Sequence, residues 1–190
     1  MNQSISTIVA LFLAFTLAAS GVLADNAAAP PKVGEKARAL SLDTLDGKTV
    51  SLTELCKSGP VVVIELRGWV GYQCPLCTRQ VGEFIGKAED LRKAGATVVL
   101  VYPGPADRLK DHAADFIDGK GLPDNFRFVT DPGLTFVKEW GLRWDKAGET
   151  AYPATFVVDA EGTARFAKVS HSHGDRATVK EVLAAITPKH

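Results

Sequence analysis

Cysteine is scarce in this chain, with three in 190 residues. That is too few for the disulfide framework that holds small secreted folds together. A surplus of one charge is also missing. Twenty-two Lys and Arg face 22 Asp and Glu, for a net charge of zero. A chain so balanced offers no broad basic field for nucleic acid or an anionic membrane surface. There is no internal repeat and no second linker. The first two dozen residues lack charged side chains altogether, so the balance belongs to the remainder.

That uncharged beginning is informative. Ile5 to Leu23 is apolar or small, and Val22-Leu23-Ala24 before Asp25 fits a small-residue cleavage site. No Lys or Arg precedes the run, so the amino terminus alone supplies positive charge there. A run of about 20 residues is long enough to span a bilayer. Its Ala, Ser, Thr and Gly content and the cleavage site favour a removed signal over an anchor. No Cys lies near the site for lipid attachment. The expected organisation is a signal peptide over 1–24, an Ala- and Pro-rich tether over 25–31, and one domain over 32–190. The expected location is periplasmic or secreted, with no stable membrane insertion after cleavage. About 165 residues suffice for one domain with a real core.

The chemistry concentrates in Gly71-Tyr72-Gln73-Cys74-Pro75-Leu76-Cys77-Thr78-Arg79-Gln80. An apolar run, Val61 to Leu66, precedes it, and an amphipathic run, Thr78 to Lys93, follows. Two thiols three residues apart at a strand-to-helix turn can close a small disulfide. Backbone N–H groups and the helix dipole favour a thiolate there, and the thiolate is the reactive form. The expectation is a redox pair, Cys74–Cys77, that cycles between dithiol and disulfide. A zinc half-site is the competing reading.

The elements alternate. Leu40–Leu42 and Thr49–Leu52 flank the turn signal Asp46-Gly47 and predict a hairpin. Val61–Leu66 and Ala96–Tyr102 predict buried strands. A helix follows the Cys pair and ends at Gly95. Another follows Pro105, taken as its first position. A strand at Phe126, a helix from Asp131 to Trp140, a hairpin from Ala154 to Val169 and a helix from Arg176 to Ile186 complete the chain. The fold class is α/β, a mixed central sheet flanked by helices. The Cys pair falls at the carboxyl end of the first central strand, where α/β sheets place their chemistry.

On these residues the chain from about Lys32 to Ile186 resembles the thioredoxin fold, in its redoxin branch with an added N-terminal hairpin. That branch includes the peroxiredoxins and exported thiol–disulfide oxidoreductases. The stretch Cys74 to Gly82 resembles the peroxidatic segment of peroxiredoxins. Matched residue by residue, Cys77 takes the peroxidatic place. Cys74 then stands where the family has Thr, and Val70 where it has Pro. The same stretch fits the oxidoreductase pattern, in which Cys74 is an exposed nucleophile at the helix start and Cys77 resolves.

Tyr152-Pro153-Ala154-Thr155 resembles the thioredoxin segment whose proline is cis, which makes Pro153 an active-site support and a cis bond the expectation. The family's activating Arg is missing near there, and Arg67 or Arg143 could approach from elsewhere. Glu65 matches the buried acid that relays a proton in thioredoxins. Pairing with Arg67, two residues on and on the same face, is the preferred reading. Trp69 and Tyr72 are a partner-binding rim or loop packing. Cys56 reads as a buried structural thiol, with a resolving role if Cys77 is peroxidatic. His171 and His173 read as solvated turn residues, the alternative being zinc or copper(I) held with the thiols. His112 is expected to face solvent. The resemblance implies a peroxide or protein-disulfide substrate, a thiol reductant protein and no cofactor.

Overall fold

The computed structural model describes residues 28–187. The expected signal and its cleavage after Ala24 lie outside the described residues. Among those described, no helix is long and apolar enough to cross a membrane.

The apolar run at Val61 becomes the spine of the sheet. It forms β3 (Val61–Glu65), buried along its whole length. β4 (Thr97–Gly104) pairs parallel with it, and β5 (Phe126–Pro132) parallel with β4. β6 (Ala154–Val158) pairs antiparallel on the other side, followed by β7 (Ala164–Val169). The predicted hairpin is β1 (Ser41–Thr44) and β2 (Thr49–Ser51), with Gly47 in the left-handed region that its turn needs. β1 joins β5, giving the order β2-β1-β5-β4-β3-β6-β7.

Side-chain alternation along β3 divides the core. Val62, Ile64 and Leu66 face α2 (Pro75–Ile85), α3 (Ala88–Lys93), α4 (Leu109–Ile117) and α6 (Val179–Ile186). Val61 and Val63 face α1 (Leu52–Cys56) and α5 (Thr135–Glu139). Removing one such side chain, as in Ile64→Ala, costs ~2–5 kcal/mol.

Three boundaries differ from the sequence reading. The helix after the Cys pair is two helices, broken at Gly86 and Lys87. It starts at Pro75, whose missing N–H is harmless in a first turn. α4 starts only at Leu109, because Arg108 takes a left-handed conformation (φ 53°), so Pro105 lies outside it. α6 starts at Val179 behind a capping box of Thr178 and Glu181. Arg176 therefore sits in the connection from β7, free of the helix.

The Glu65–Arg67 pair does not form. Glu65 ends β3 with no exposed surface, beside Val101 and Ala154 in register. Neither carboxyl oxygen has a hydrogen-bond partner. The alternation also puts it on the Val61–Val63 side, away from the face that carries Cys74 and Cys77, which removes the thioredoxin-like relay to the thiols. Burial raises its pKa well above 4.5, and Asp131 adds repulsion. The folded state therefore holds this proton more tightly than the unfolded chain. Stability is greatest below the unfolded value and falls as pH rises through the folded one. Glu65→Met should raise the melting temperature at neutral pH by roughly 2–4 °C, the shift about 1 kcal/mol makes at this size. The gain should shrink toward pH 4.5 in thermal scans. A gain independent of pH, or a loss, would contradict the buried neutral acid.

Candidate active site

The segment between β3 and α2 runs on along β4 before it turns. Leu66 N–H donates to the Val101 carbonyl (3.0 Å) and Trp69 N–H to the Pro103 carbonyl (2.9 Å). Gly68, at φ 64°, allows this approach, since a β-carbon there would strike the Pro103 carbonyl. Tyr102 donates its hydroxyl to Gln73 (2.7 Å), and Gln73 donates to the His112 carbonyl (2.7 Å). These bonds deliver Cys74 to the N-cap of α2. Pro75 opens the first turn, and Cys77 lies within it.

Both thiols are unbonded and buried, Cys74 with 4% and Cys77 with no exposed surface. The expected exposure of Cys74 is thus not found, because the start of α2 is covered from the side of α6. The two thiols lie in the same turn and each acts on the ionisation of the other. Arg67 donates its backbone N–H to Cys77 Sγ (3.4 Å). Arg176 Nη2 lies 3.5 Å from Cys77 Sγ and 3.9 Å from Cys74 Sγ.

These contacts separate the two thiols. Interaction with the Cys77 side chain brings the Cys74 pKa down to about 5 against the cost of burial. Backbone N–H groups of Leu76 and Cys77 and the Arg176 charge act in the same direction. Cys77 is pushed well up, first by the Cys74 side chain and then by burial. Cys74 is thus the more acidic thiol of the pair.

Arg176 is the functional residue that sequence reasoning missed. Neither Arg67 nor Arg143 brings its guanidinium to the thiols. Arg67 forms a buried ion pair with Glu149 (2.5 Å) and donates to Tyr72 Oη (2.6 Å) and the Gly148 carbonyl (3.0 Å). Thr150 donates its hydroxyl to the Arg67 carbonyl. Arg143 donates to the carbonyls of Trp144, Glu149 and Thr150. Both arginines hold the 143–151 loop, and Arg67 reaches the site through its main chain. Arg176 comes from the turn after His173, donating through Nη1 to Gln80 on α2 (2.8 Å). A lone Arg in a polar turn gives no periodic signal.

The remaining candidates divide. Pro153 lies beside Arg176 and Gln80, but its bond is trans, since no cis peptide occurs among the described residues. Tyr152 N–H donates to the Leu142 carbonyl (2.8 Å) and Ser170 N–H to the Pro153 carbonyl (2.8 Å), so the chain enters β6 extended. Tyr72 stays half-exposed, at 51%, with Arg67 over its ring. Trp69 stacks on His112 with ring centroids 3.6 Å apart, so His112 packs against the loop and does not simply face solvent. His173 bonds Glu149 (2.8 Å), and His171 meets the Tyr152 ring edge-on. Among the described residues no three His, Cys, Asp or Glu side chains gather as metal ligands. Cys56 is buried on the opposite face from the pair, which separates it from them.

Comparison with known proteins gives a consistent result. Residues 32–186 match the family Redoxin. Peroxiredoxin Q, chloroplastic, of Populus jackii is 34% identical over 129 residues, covering 68% of this chain and 56% of that protein. Its counterpart in Gentiana triflora is 35% identical over 123 residues, covering 65% and 52%. The chain thus spans about half the length of these curated relatives. The crystal structure of reduced Prx3 in complex with hydrogen peroxide from Vibrio vulnificus superposes with a TM-score of 0.67 at 17% identity, covering 82% of this chain and 99% of that one. That likeness establishes the thioredoxin-like peroxiredoxin fold.

The Arg176 contact makes a direct prediction. Arg176→Met should raise the Cys74 pKa from about 5 by about one pH unit, the lower end of what an adjacent opposite charge contributes. Ultraviolet thiolate absorbance against pH reads this. An unchanged titration would remove Arg176 from the site's electrostatics.

Proposed function

The chain belongs to the redoxin family, and from that premise we propose an exported thiol peroxidase working through a Cys74–Cys77 dithiol–disulfide cycle. One observation carries the reading. Cys74 and Cys77 stand together at the start of α2, with Arg176 Nη2 3.9 and 3.5 Å from their sulfurs. The peroxiredoxin relatives and the peroxide held by the Vibrio protein support a peroxide substrate.

The steps balance. Cys74 thiolate attacks the distal oxygen of the peroxide, the O–O bond breaks, and the leaving alkoxide or hydroxide takes a proton. Cys74 becomes a sulfenic acid. The Cys77 sulfur then attacks Cys74 Sγ, an S–S bond forms, and water leaves with the Cys77 proton. Arg176 stabilises the starting thiolate and developing negative charge on the peroxide oxygens. A protein dithiol returns the pair to the reduced state by exchange, becoming a disulfide itself.

This order places the first attack on Cys74, whereas the family alignment of residues places it on Cys77. The local electrostatics favour Cys74, because its pKa is lowered to about 5 while that of Cys77 is pushed up, and Cys77 is fully enclosed. A second reading, thiol–disulfide exchange on protein substrates, draws on the same N-cap position of Cys74. Stopped-flow mixing of reduced protein with hydrogen peroxide, beside a disulfide-reduction assay, separates them. Cys74→Ser should abolish the first peroxide oxidation, and Cys77→Ser should leave it and accumulate sulfenic acid. A fast reaction that survives Cys74→Ser but not Cys77→Ser would reverse the roles. Disulfide reduction without peroxide reaction would favour the second reading.

Export rests on the uncharged Ile5–Leu23 run and the Ala24 site. N-terminal sequencing of protein recovered from the periplasm or medium should begin at Asp25. Full-length protein held in membranes would contradict removal of the signal.

A further inference from the structure

A third charged side chain bears on the thiols through the two arginines. Glu149 lies near the end of the 143–151 loop, with its side chain only 6% exposed. The loop holds its own shape. Arg143 and Ala151 form an antiparallel bridge, and Trp144 N–H donates to the Thr150 carbonyl (3.2 Å). Arg143 Nη1 ties together the carbonyls of Trp144, Glu149 and Thr150. The Trp144 ring stacks on Tyr152, centroids 4.8 Å apart, just before β6. The carboxylate is thus presented from a fixed frame.

Its two oxygens go to different segments. Oε2 accepts from Arg67 Nε (2.5 Å), in the loop after β3. Oε1 bonds His173 Nε2 (2.8 Å), in the connection from β7 to α6. Trp144 also leans on the His173 ring, centroids 5.1 Å apart, so the imidazole is held on two sides. Each partner of Glu149 leads to a sulfur. Arg67 donates its backbone N–H to Cys77 Sγ (3.4 Å). The His173 carbonyl accepts from Arg176 Nε (3.0 Å). With Nε held there and Nη1 on Gln80 (2.8 Å), Nη2 is the group left to face the two sulfurs.

We propose that Glu149 is a positioning residue for the thiol pair, a two-sided carboxylate clamp that holds Arg67 with one oxygen and, through His173, sets Arg176 against the sulfurs with the other. This rests on the dithiol–disulfide reading above, in which Cys74 is the attacking sulfur. The two sides are not equal. The Arg67 main chain is also held by the Thr150 hydroxyl and by β4 on either side of it. Arg176 has only its two tethers, and one of them hangs from Glu149. A long side chain keeps its charge at a fixed point only while its conformational freedom is restrained. Loss of the clamp is therefore felt first at Arg176. The sign of the effect identifies the role. A negative charge near a thiol disfavours its ionisation, so loss of the Glu149 charge, acting through space alone, lowers the Cys74 pKa. Loss of the clamp raises it, because Arg176 no longer faces the sulfur.

Ultraviolet thiolate absorbance against pH, on reduced protein, reads this sign. Glu149→Gln should move the Cys74 midpoint upward by about half a pH unit or more, part of what an adjacent opposite charge contributes. A midpoint that stays or falls overturns the clamp. Glu149→Gln also leaves the enclosed Arg67 guanidinium without its counter-charge and weakens the fold, so a second variant carries the test independently. His173→Ala, on the exposed side, keeps the Arg67–Glu149 pair and cuts only the tether to Arg176. It should raise the midpoint by about half a pH unit, roughly a threefold loss of thiolate well below the midpoint. In an Arg176→Met background the same change should do nothing, because the clamp acts through Arg176. An equal shift in both backgrounds, or none in either, overturns the proposal. No peroxide enters these titrations, so a protein that titrates as expected and does not react with peroxide fails only the peroxidase reading.

Discussion

A thiolate under a protein surface persists only where positive charge and N–H donors face it. Most of the local structure around Cys74 serves that constraint. The first turn of α2 supplies backbone N–H groups, the neighbouring Cys77 side chain lowers the pKa further, and Arg176 supplies a full charge. None of these acts unless the loop after β3 is fixed. β4 fixes it through the carbonyls of Val101 and Pro103, and Gly68 permits the close approach. The loop's own side chain, Arg67, is buried in a bond to Glu149, which ties the 143–151 loop to the site. The cost of burying that pair is offset by further hydrogen bonds of the guanidinium to Tyr72 and the Gly148 carbonyl and of Glu149 with His173.

Two arginines therefore divide the work. Arg67 is locked and positions the main chain that donates to Cys77. Arg176 stands in the connection between β7 and α6 and brings a permanent positive charge to both sulfurs. His173 touches both systems, bonding Glu149 through its ring and Arg176 through its carbonyl.

Much of this was legible in the sequence. The buried strands at Val61 and Thr97, the hairpin at Asp46-Gly47 and the Cys pair at a helix start follow from apolar runs, turn chemistry and spacing. The family resemblance rests on the Cys74–Gly82 stretch and is matched across 32–186. What escaped is long-range. Glu65 and Arg67 are two residues apart, but Arg67 turns to Glu149, more than 80 positions away, and Glu65 is left without a hydrogen-bond partner in the core. Arg176, about 100 positions from the thiols, reads in sequence only as the start of a helix that in fact begins at Val179. Residue preference gives strands and turns, but pairings across the sheet depend on topology.

The account stands on Cys74 and Cys77 acting as one redox unit, with Cys56 apart on the other face of the sheet. Peptide mapping by mass spectrometry after one equivalent of hydrogen peroxide measures this most directly. A Cys74–Cys77 disulfide within one chain, with Cys56 still a free thiol, is the result the account predicts. A dominant bond from either thiol to Cys56, or between two chains, would contradict it.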